Sequence, residues 1–117
     1  MTEKESFFPD KESFFSDKGA KYDSDKPDIT FVFEYFPRAL LEVARVAEFG
    51  AQKYARGNWV HVKDNQRRYE AALGRHLLNK YIEGDNDKDS SLLHLAHSAW
   101  NALAVLELKL RDVQERD

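Results

Sequence analysis

From Leu92 to Leu110 the apolar residues recur at the spacing of an α-helix, and they do so on two sides. One stripe holds Leu92, Leu95, Ala96, Ala99, Leu103, Leu106 and Leu110; a second, nearly opposite, holds Ala104, Val105 and Leu108. A helix that is apolar on two sides belongs between partners, so the chain must supply other helices to pack around it. Pro37 suits the first turn of one such helix, which runs to about residue 54 before "ARGNW" interrupts it. Its Leu40, Val43, Ala44, Ala47, Gly50, Ala51 and Tyr54 share a face whose small members permit a close helix crossing. Another helix starts at Asp64, a residue type that caps free amides, and ends near Glu83, where Gly84 follows. The short link "GDNDKD" makes it an antiparallel neighbour of the last helix, which starts at Ser90 or Ser91. The expected fold is all-α: a small bundle on three main helices, about 37–54, 64–83 and 91–111.

The N-terminal part contributes differently. "KESFFPD" from Lys4 to Asp10 is followed directly by "KESFFSD" from Lys11 to Asp17, a duplication too short to be a solenoid repeat. Its Phe-Phe pairs, separated by Pro9 and charges, suit a flexible arm over residues 1–18, leaving residues 19–117 as one domain. Lys26-Pro27 favours extended backbone, and Ile29 to Phe33 is β-branched and aromatic. Since one strand cannot make a sheet, this stretch reads as an extended segment laid across the helices. The net charge of −3, with its signs interspersed, offers no basic face for duplex nucleic acid. With no cysteine in the chain, any metal must be held by oxygen and imidazole. No apolar run approaches the roughly 18 residues of a membrane span, and "MTEKESFF" lacks the basic-then-apolar order of a signal peptide. Both features point to the cytoplasm.

Chemistry concentrates between Arg75 and Asn101. On the last helix His94, His97 and Asn101 occupy the N-terminal half of its second buried side, and on the preceding helix Tyr69, Ala72, His76, Asn79 and Glu83 share a face. Antiparallel packing places Glu83 near His94, Asn79 near His97 and His76 near Asn101. A single buried histidine is more often a hydrogen-bonded core residue than a functional one. Two facing polar ladders are harder to explain as packing, because each unpaired buried polar group costs on the order of 1–3 kcal/mol. Asp85, Asp87 and Asp89 begin like a calcium loop, but the sixth position is Ser90 and the twelfth Ala96, so this is not an EF-hand. Three such carboxylates suit Mg²⁺ or Mn²⁺ when a phosphate completes the shell, and are otherwise solvated turn acids. The chain has no H-E-x-x-H, no His-Asp dipeptide, no nucleophile elbow and no Gly-rich phosphate loop.

Four stretches in order, "GAKYDSDKP", "LLEVARVAEFGAQKYARGNW", "RYEAALGRHL" and "HLAHSAWNAL", resemble the phage-encoded dATP/dGTP diphosphohydrolase family, itself similar in helical logic to the MazG-type nucleotide pyrophosphohydrolases. The resemblance runs from about Gly19 to Leu110. It implies a metal-dependent hydrolase, with Mg²⁺ or Mn²⁺, that splits purine deoxynucleoside triphosphates to monophosphate and pyrophosphate and so reshapes the nucleotide pool, in the host cytoplasm if phage-encoded. It further implies metal ligation by Glu42, Asp85 and Asp87, with Glu83 in reserve. Where MazG-type enzymes carry acidic pairs this chain has His94 and His97, which with His76 become candidates for acid–base work or phosphate binding. Lys26, Lys53 and Arg75 are the implied phosphate cations, Tyr54 and Trp59 the implied stacking partners of a base, and Asn58, Asn79 and Asn101 readers of base or ribose. Trp59 has a structural alternative as a plug for the bundle end, and Arg75 as an ion-pair partner of Glu42 or Glu48. Three helices alone bury little, so a homo-oligomer, dimer or tetramer, is expected. The rival functions are a non-catalytic purine-nucleotide binder and an interaction module using the Phe-Phe arm.

Overall fold

The computed structural model describes residues 25–116, with side chains described as far as Asp112; the doubled "KESFF" arm lies outside the described residues. The chain divides into two units between Phe31 and Val32. Four helices are described: α1 at Thr30–Tyr35, straddling that division, α2 at Pro37–Lys53, α3 at Asn65–Ile82 and α4 at His94–Arg116, with a 3₁₀ turn at Asn58–His61. The all-α expectation holds, and so do the three main helices. No helix among the described residues is long and apolar enough to cross a membrane.

The first correction concerns Ile29 to Phe33, expected to be extended. It enters α1 instead, where the Asp28 carboxylate accepts a hydrogen bond from the Thr30 amide at 3.0 Å and the Asp28 carbonyl one from the Phe31 amide at 3.3 Å. A lone extended stretch has no ladder partner for its amides and carbonyls; a helix satisfies them internally.

Helix α2 opens on Pro37 as expected. Its small-residue face, Leu40, Val43, Ala44, Ala47, Gly50, Ala51 and Tyr54, lines an open cleft together with Val46, the buried residue of this helix, and α2 packs on α4. The more extensive contact is between α3 and α4. At the start of α3, Asp64 makes no side-chain cap and sits in the left-handed region at φ 57°. The neighbouring Asn65 accepts the Gln66 amide at 2.7 Å and donates to the Val60 carbonyl at 3.2 Å, so the tie to the preceding turn comes from the asparagine. Helix α3 stops at Ile82, with Gly84 at φ 105° carrying the chain out in a conformation that glycine adopts without penalty.

Helix α4 begins at His94, later than expected, because Asp87 and Ser90 fold the preceding residues into a closed turn. The Asp87 amide donates to the Leu92 carbonyl and the Ser91 amide to the Asp87 carbonyl, both at 2.7 Å, while Asn86 pairs with Leu93 in an isolated bridge. Short polar side chains compete with helical backbone bonds for the same groups, and here they win. The face of α4 that is buried is the polar one: His94, His97, Ser98 and Asn101, with Ala96, Ala104 and Leu108. Ser98 Oγ donates to the Leu73 carbonyl at 3.1 Å, pinning α4 to α3. In the longer apolar stripe Leu95, Leu103, Leu106 and Leu110 are each about half exposed, and Leu103, Leu106 and Leu110 line the open cleft.

Candidate functional site

The antiparallel hairpin of α3 and α4 brings three histidines and two acids together beneath the closed turn. His94, with 0% exposure, is the only fully buried side chain among the described residues. Its Nε2 lies 2.6 Å from Glu83 Oε1 and its Nδ1 2.9 Å from His76 Nδ1. The Glu83–His94 neighbourhood is as expected from the ladders. The other two pairings differ: His76 lies against His94 and stacks on His97, with ring centroids 4.4 Å apart and planes 8° apart, rather than meeting Asn101. Asn101 turns back on its own helix, donating to the His97 carbonyl at 2.8 Å. His76 thus meets the two α4 histidines nearer the turn, while the Glu83–His94 pairing keeps its expected register.

The turn fixes Asp87 from the other side. Its Oδ2 accepts the Ser90 amide at 2.9 Å and the Ser90 hydroxyl at 2.8 Å, and that hydroxyl in turn accepts from His97 Nε2 at 2.7 Å. The Leu92 amide also donates to Ser90 Oγ at 3.2 Å. Among the described residues, His76, Asp87 and His94 form a group in which one ligand atom from each lies within 4.8 Å of the others. Two imidazoles and a carboxylate are a donor set that fits a divalent cation, so the cluster passes the test of chemistry as well as of distance. No buried side-chain nitrogen or oxygen among the described residues lacks a partner.

Burial pushes the His76 imidazole below its ordinary 6.5, with His97 adding to the effect, and burial likewise pushes His97 down against the opposing pull of Asp87. For Asp87 burial acts upward, but the Ser90 amide and hydroxyl and the adjacent His97 outweigh it and hold the carboxyl below its ordinary 3.8. Both histidines are therefore neutral and the aspartate charged near neutral pH. The linkage has a definite sign. A histidine whose folded value is depressed leaves the unfolded chain binding more protons, so its contribution to stability is present above about pH 6.5 and is lost as pH falls below that value. The Asp87 contribution is present above the ordinary carboxylate range and is lost only as pH falls beneath it. The metal-free protein should lose thermal stability in two steps, one setting in as pH falls below the ordinary imidazole value of 6.5 and a second as it falls below the ordinary carboxylate value of 3.8. A melting temperature that stays constant between those two pH values would contradict the neutral-histidine assignment.

The cleft that His76, Asp87 and His97 line has a volume of about 1490 Å³ and is also lined by Lys53, Tyr54, Asn58, Trp59, Arg75 and Asn101. Lys53 Nζ lies 3.1 Å from Asp89 Oδ2, a contact across 36 residues, and that bond raises the lysine above its ordinary 10.5. Tyr54 is 67% exposed. Trp59 packs edge-to-face on Trp100 at 6.0 Å and meets Tyr69 at 6.4 Å, while the Tyr69 hydroxyl donates to its carbonyl at 2.7 Å. Trp59 packs among these aromatics and lines the cleft. Glu42 is ion-paired with Arg45 at 3.2 Å, and neither it nor Asp85, Glu83 or Asn79 lines the cleft. Asp85 contributes its backbone, its carbonyl accepting the His94 amide at 2.8 Å. Lys26 is exposed in the first unit.

Sequence reasoning passed over Ser90, Arg56 and Arg68. Ser90 was legible from its position three residues after Asp87, the spacing at which a carboxylate closes a turn on a following hydroxyl. Arg68 stands seven residues before Arg75, on the same helix face, and both line the cleft.

Residues 16–117 match the family model described as dATP/dGTP diphosphohydrolase, N-terminal. A dATP/dGTP diphosphohydrolase of Salmonella phage PMBT28 is 38% identical over 90 residues, covering 77% of this chain and 29% of that protein. The chain therefore spans less than a third of the length of the curated relative it matches. No solved structure matches.

Proposed function

The chain belongs to the dATP/dGTP diphosphohydrolase N-terminal family, and from that membership and the clustered histidines we propose that it hydrolyses purine deoxynucleoside triphosphates to monophosphate and pyrophosphate. The observation that carries the reading is one cleft lined both by His76, Asp87 and His97 and by the cations Lys53, Arg56, Arg68 and Arg75. A triphosphate needs positive charge along its length and a site for the reacting water at one end, and this lining offers both. In the reaction the water oxygen bonds to the α-phosphorus, the α–β anhydride bond breaks, and pyrophosphate leaves. A divalent cation, Mg²⁺ or Mn²⁺, held at the His76–Asp87–His94 group would supply charge neutralisation and a more acidic water. The neutral imidazole of His97, which lines the cleft and stands outside the metal group, is the group able to take the released proton. Ser90 keeps Asp87 oriented, and Glu83 keeps His94 oriented. Tyr54, exposed at the cleft, is the candidate to stack on the base, and Asn58 lines the same cleft as a candidate polar contact.

The test is incubation with each deoxynucleoside triphosphate and a divalent metal, read as pyrophosphate released. Tyr54→Ala should raise the KM by roughly 5- to 150-fold, the loss of one base–aromatic stack of about 1–3 kcal/mol, with kcat little changed. Nucleotide binding without pyrophosphate release under any metal would leave a non-catalytic purine-nucleotide binder.

Leu77, Leu78, Tyr81 and Ile82 on α3 and Leu95 on α4 are exposed away from the cleft, too apolar a surface to be left to water. We read it as the face on which a second copy packs. Size-exclusion chromatography with light scattering should show a dimer or tetramer, and Leu78→Glu with Ile82→Glu should shift it to monomer. A wild-type monomer at micromolar concentration would sink this part of the reading.

A further inference from the structure

Which metal the cluster takes is written in its donor atoms. We propose that His76, Asp87 and His94 form an open two-imidazole, one-carboxylate centre that selects first-row transition ions, Mn²⁺ to Zn²⁺, over Mg²⁺, with Glu83 positioning His94 from outside the coordination shell. The proposal rests on the metal dependence argued above, but it is tested without nucleotide.

Each donor follows from a contact already fixed. His94 Nε2 is 2.6 Å from the Glu83 carboxylate, so that nitrogen carries the proton and Nδ1 is left with its lone pair. Carboxylate–histidine–metal relays of this kind orient a ligating imidazole and raise its basicity. His94 Nδ1 and His76 Nδ1 are 2.9 Å apart. Two nitrogens bound side by side on an octahedral ion at about 2.1 Å each stand about 3 Å from one another, so the pair is already spaced as neighbouring ligands. Asp87 Oδ2 takes both hydrogen bonds of Ser90, which leaves its other oxygen for an ion.

The centre opens in one direction only. His76 and Asp87 line the cleft, whereas His94 is fully buried and does not, so the vacant coordination positions face the side from which a phosphate would arrive. Glu42 and Asp89, acids that an oxygen-only shell would draw on, are held by Arg45 and Lys53. Mg²⁺ demands oxygen ligands and gives up its waters reluctantly, while imidazole affinity rises along the first transition row. Two nitrogens in a three-residue set decide against Mg²⁺.

The experiment is titration of the chelator-treated full chain with Co²⁺, Mn²⁺ and Mg²⁺ by calorimetry, with the cobalt d–d absorption recorded alongside and circular dichroism as a check on folding. The expected result is one Co²⁺ per chain, with a cobalt spectrum that a hundredfold excess of Mg²⁺ leaves unchanged. His76→Ala and Asp87→Asn, at the cleft rather than in the buried interior, should each weaken cobalt binding strongly. Glu83→Gln should weaken it by roughly 10- to 100-fold and shift the d–d band, which loss of a merely structural contact would not do. Displacement of Co²⁺ by equimolar Mg²⁺, or cobalt binding unchanged in both His76→Ala and Asp87→Asn, overturns the assignment. Pyrophosphate release by a chain that does not bind Co²⁺ overturns this centre and leaves the hydrolysis standing; cobalt binding by a chain with no turnover does the reverse.

Discussion

Asp87→Asn should lower nucleotide turnover by at least about 100-fold, corresponding to a barrier increase of roughly 2.7 kcal/mol, while the helices stay folded. The two halves of this expectation have separate causes. An asparagine side-chain carbonyl can still accept the Ser90 amide and hydroxyl bonds that Asp87 Oδ2 accepts at 2.9 and 2.8 Å, so the closed turn keeps its ties. What is lost is the negative charge, which is the one anionic donor in the group with His76 and His94. The comparison to run is kcat/KM for the variant beside Asp85→Asn, whose side chain does not line the cleft and whose backbone carbonyl alone holds the His94 amide. Retained activity in Asp87→Asn would move the chemistry to another place in the chain.

His94→Leu should have the largest effect on folding, a loss of roughly 2–4 kcal/mol, or a fall in Tm of about 10–20 °C for a chain of this size. The leucine fills much of the volume, so the loss is not chiefly a cavity. It arises because Glu83 and His76, both only partly exposed, each lose on their inward side the partner that now stands at 2.6 and 2.9 Å. The double variant Glu83→Met with His94→Leu should recover part of the loss, since removing both members of a buried polar pair is far cheaper than removing one. Ser98→Ala, which deletes a single bond to the Leu73 carbonyl, gives the scale for one ordinary hydrogen bond, about 1 kcal/mol. Chemical denaturation of the four proteins decides it: His94→Leu within 1 kcal/mol of wild type, on the scale of that one bond, would mean the polar interior is not what holds α3 to α4.

The helices were legible in the sequence because their signals are local. Pro37 and Gly84 mark a start and a stop through backbone geometry that depends on nothing distant. The Glu83–His94 contact was legible too, because a short turn between two periodic stretches leaves little choice of register at its base. Further from the turn that certainty decayed. His76 lies against His94 and His97 rather than at Asn101, a choice between successive turns of one helix face that side-chain direction makes and periodicity does not. On α4 the histidine side is buried as expected, whereas the leucine side, expected to be buried as well, is about half exposed. Periodicity gives the angle between faces and says nothing of which one meets the rest of the chain. The histidines went inward because Glu83, Ser90 and His76 were there to satisfy them, and the leucines, needing no particular partner, were left half exposed.

That exchange of places has a consequence for how the chain tolerates change. In most small domains a comprehensive map of single substitutions shows greasy positions that refuse polar residues and hydrophilic positions that accept nearly anything. Here the least permissive sites along α4 should be His94, His97, Ser98 and Asn101, which refuse hydrophobic replacements. The exposed apolar residues away from the cleft become the informative ones: charge refused at Leu78, Tyr81, Ile82 and Leu95 in living cells would reveal a covered surface without purifying the protein, and charge accepted there would reveal a bare one.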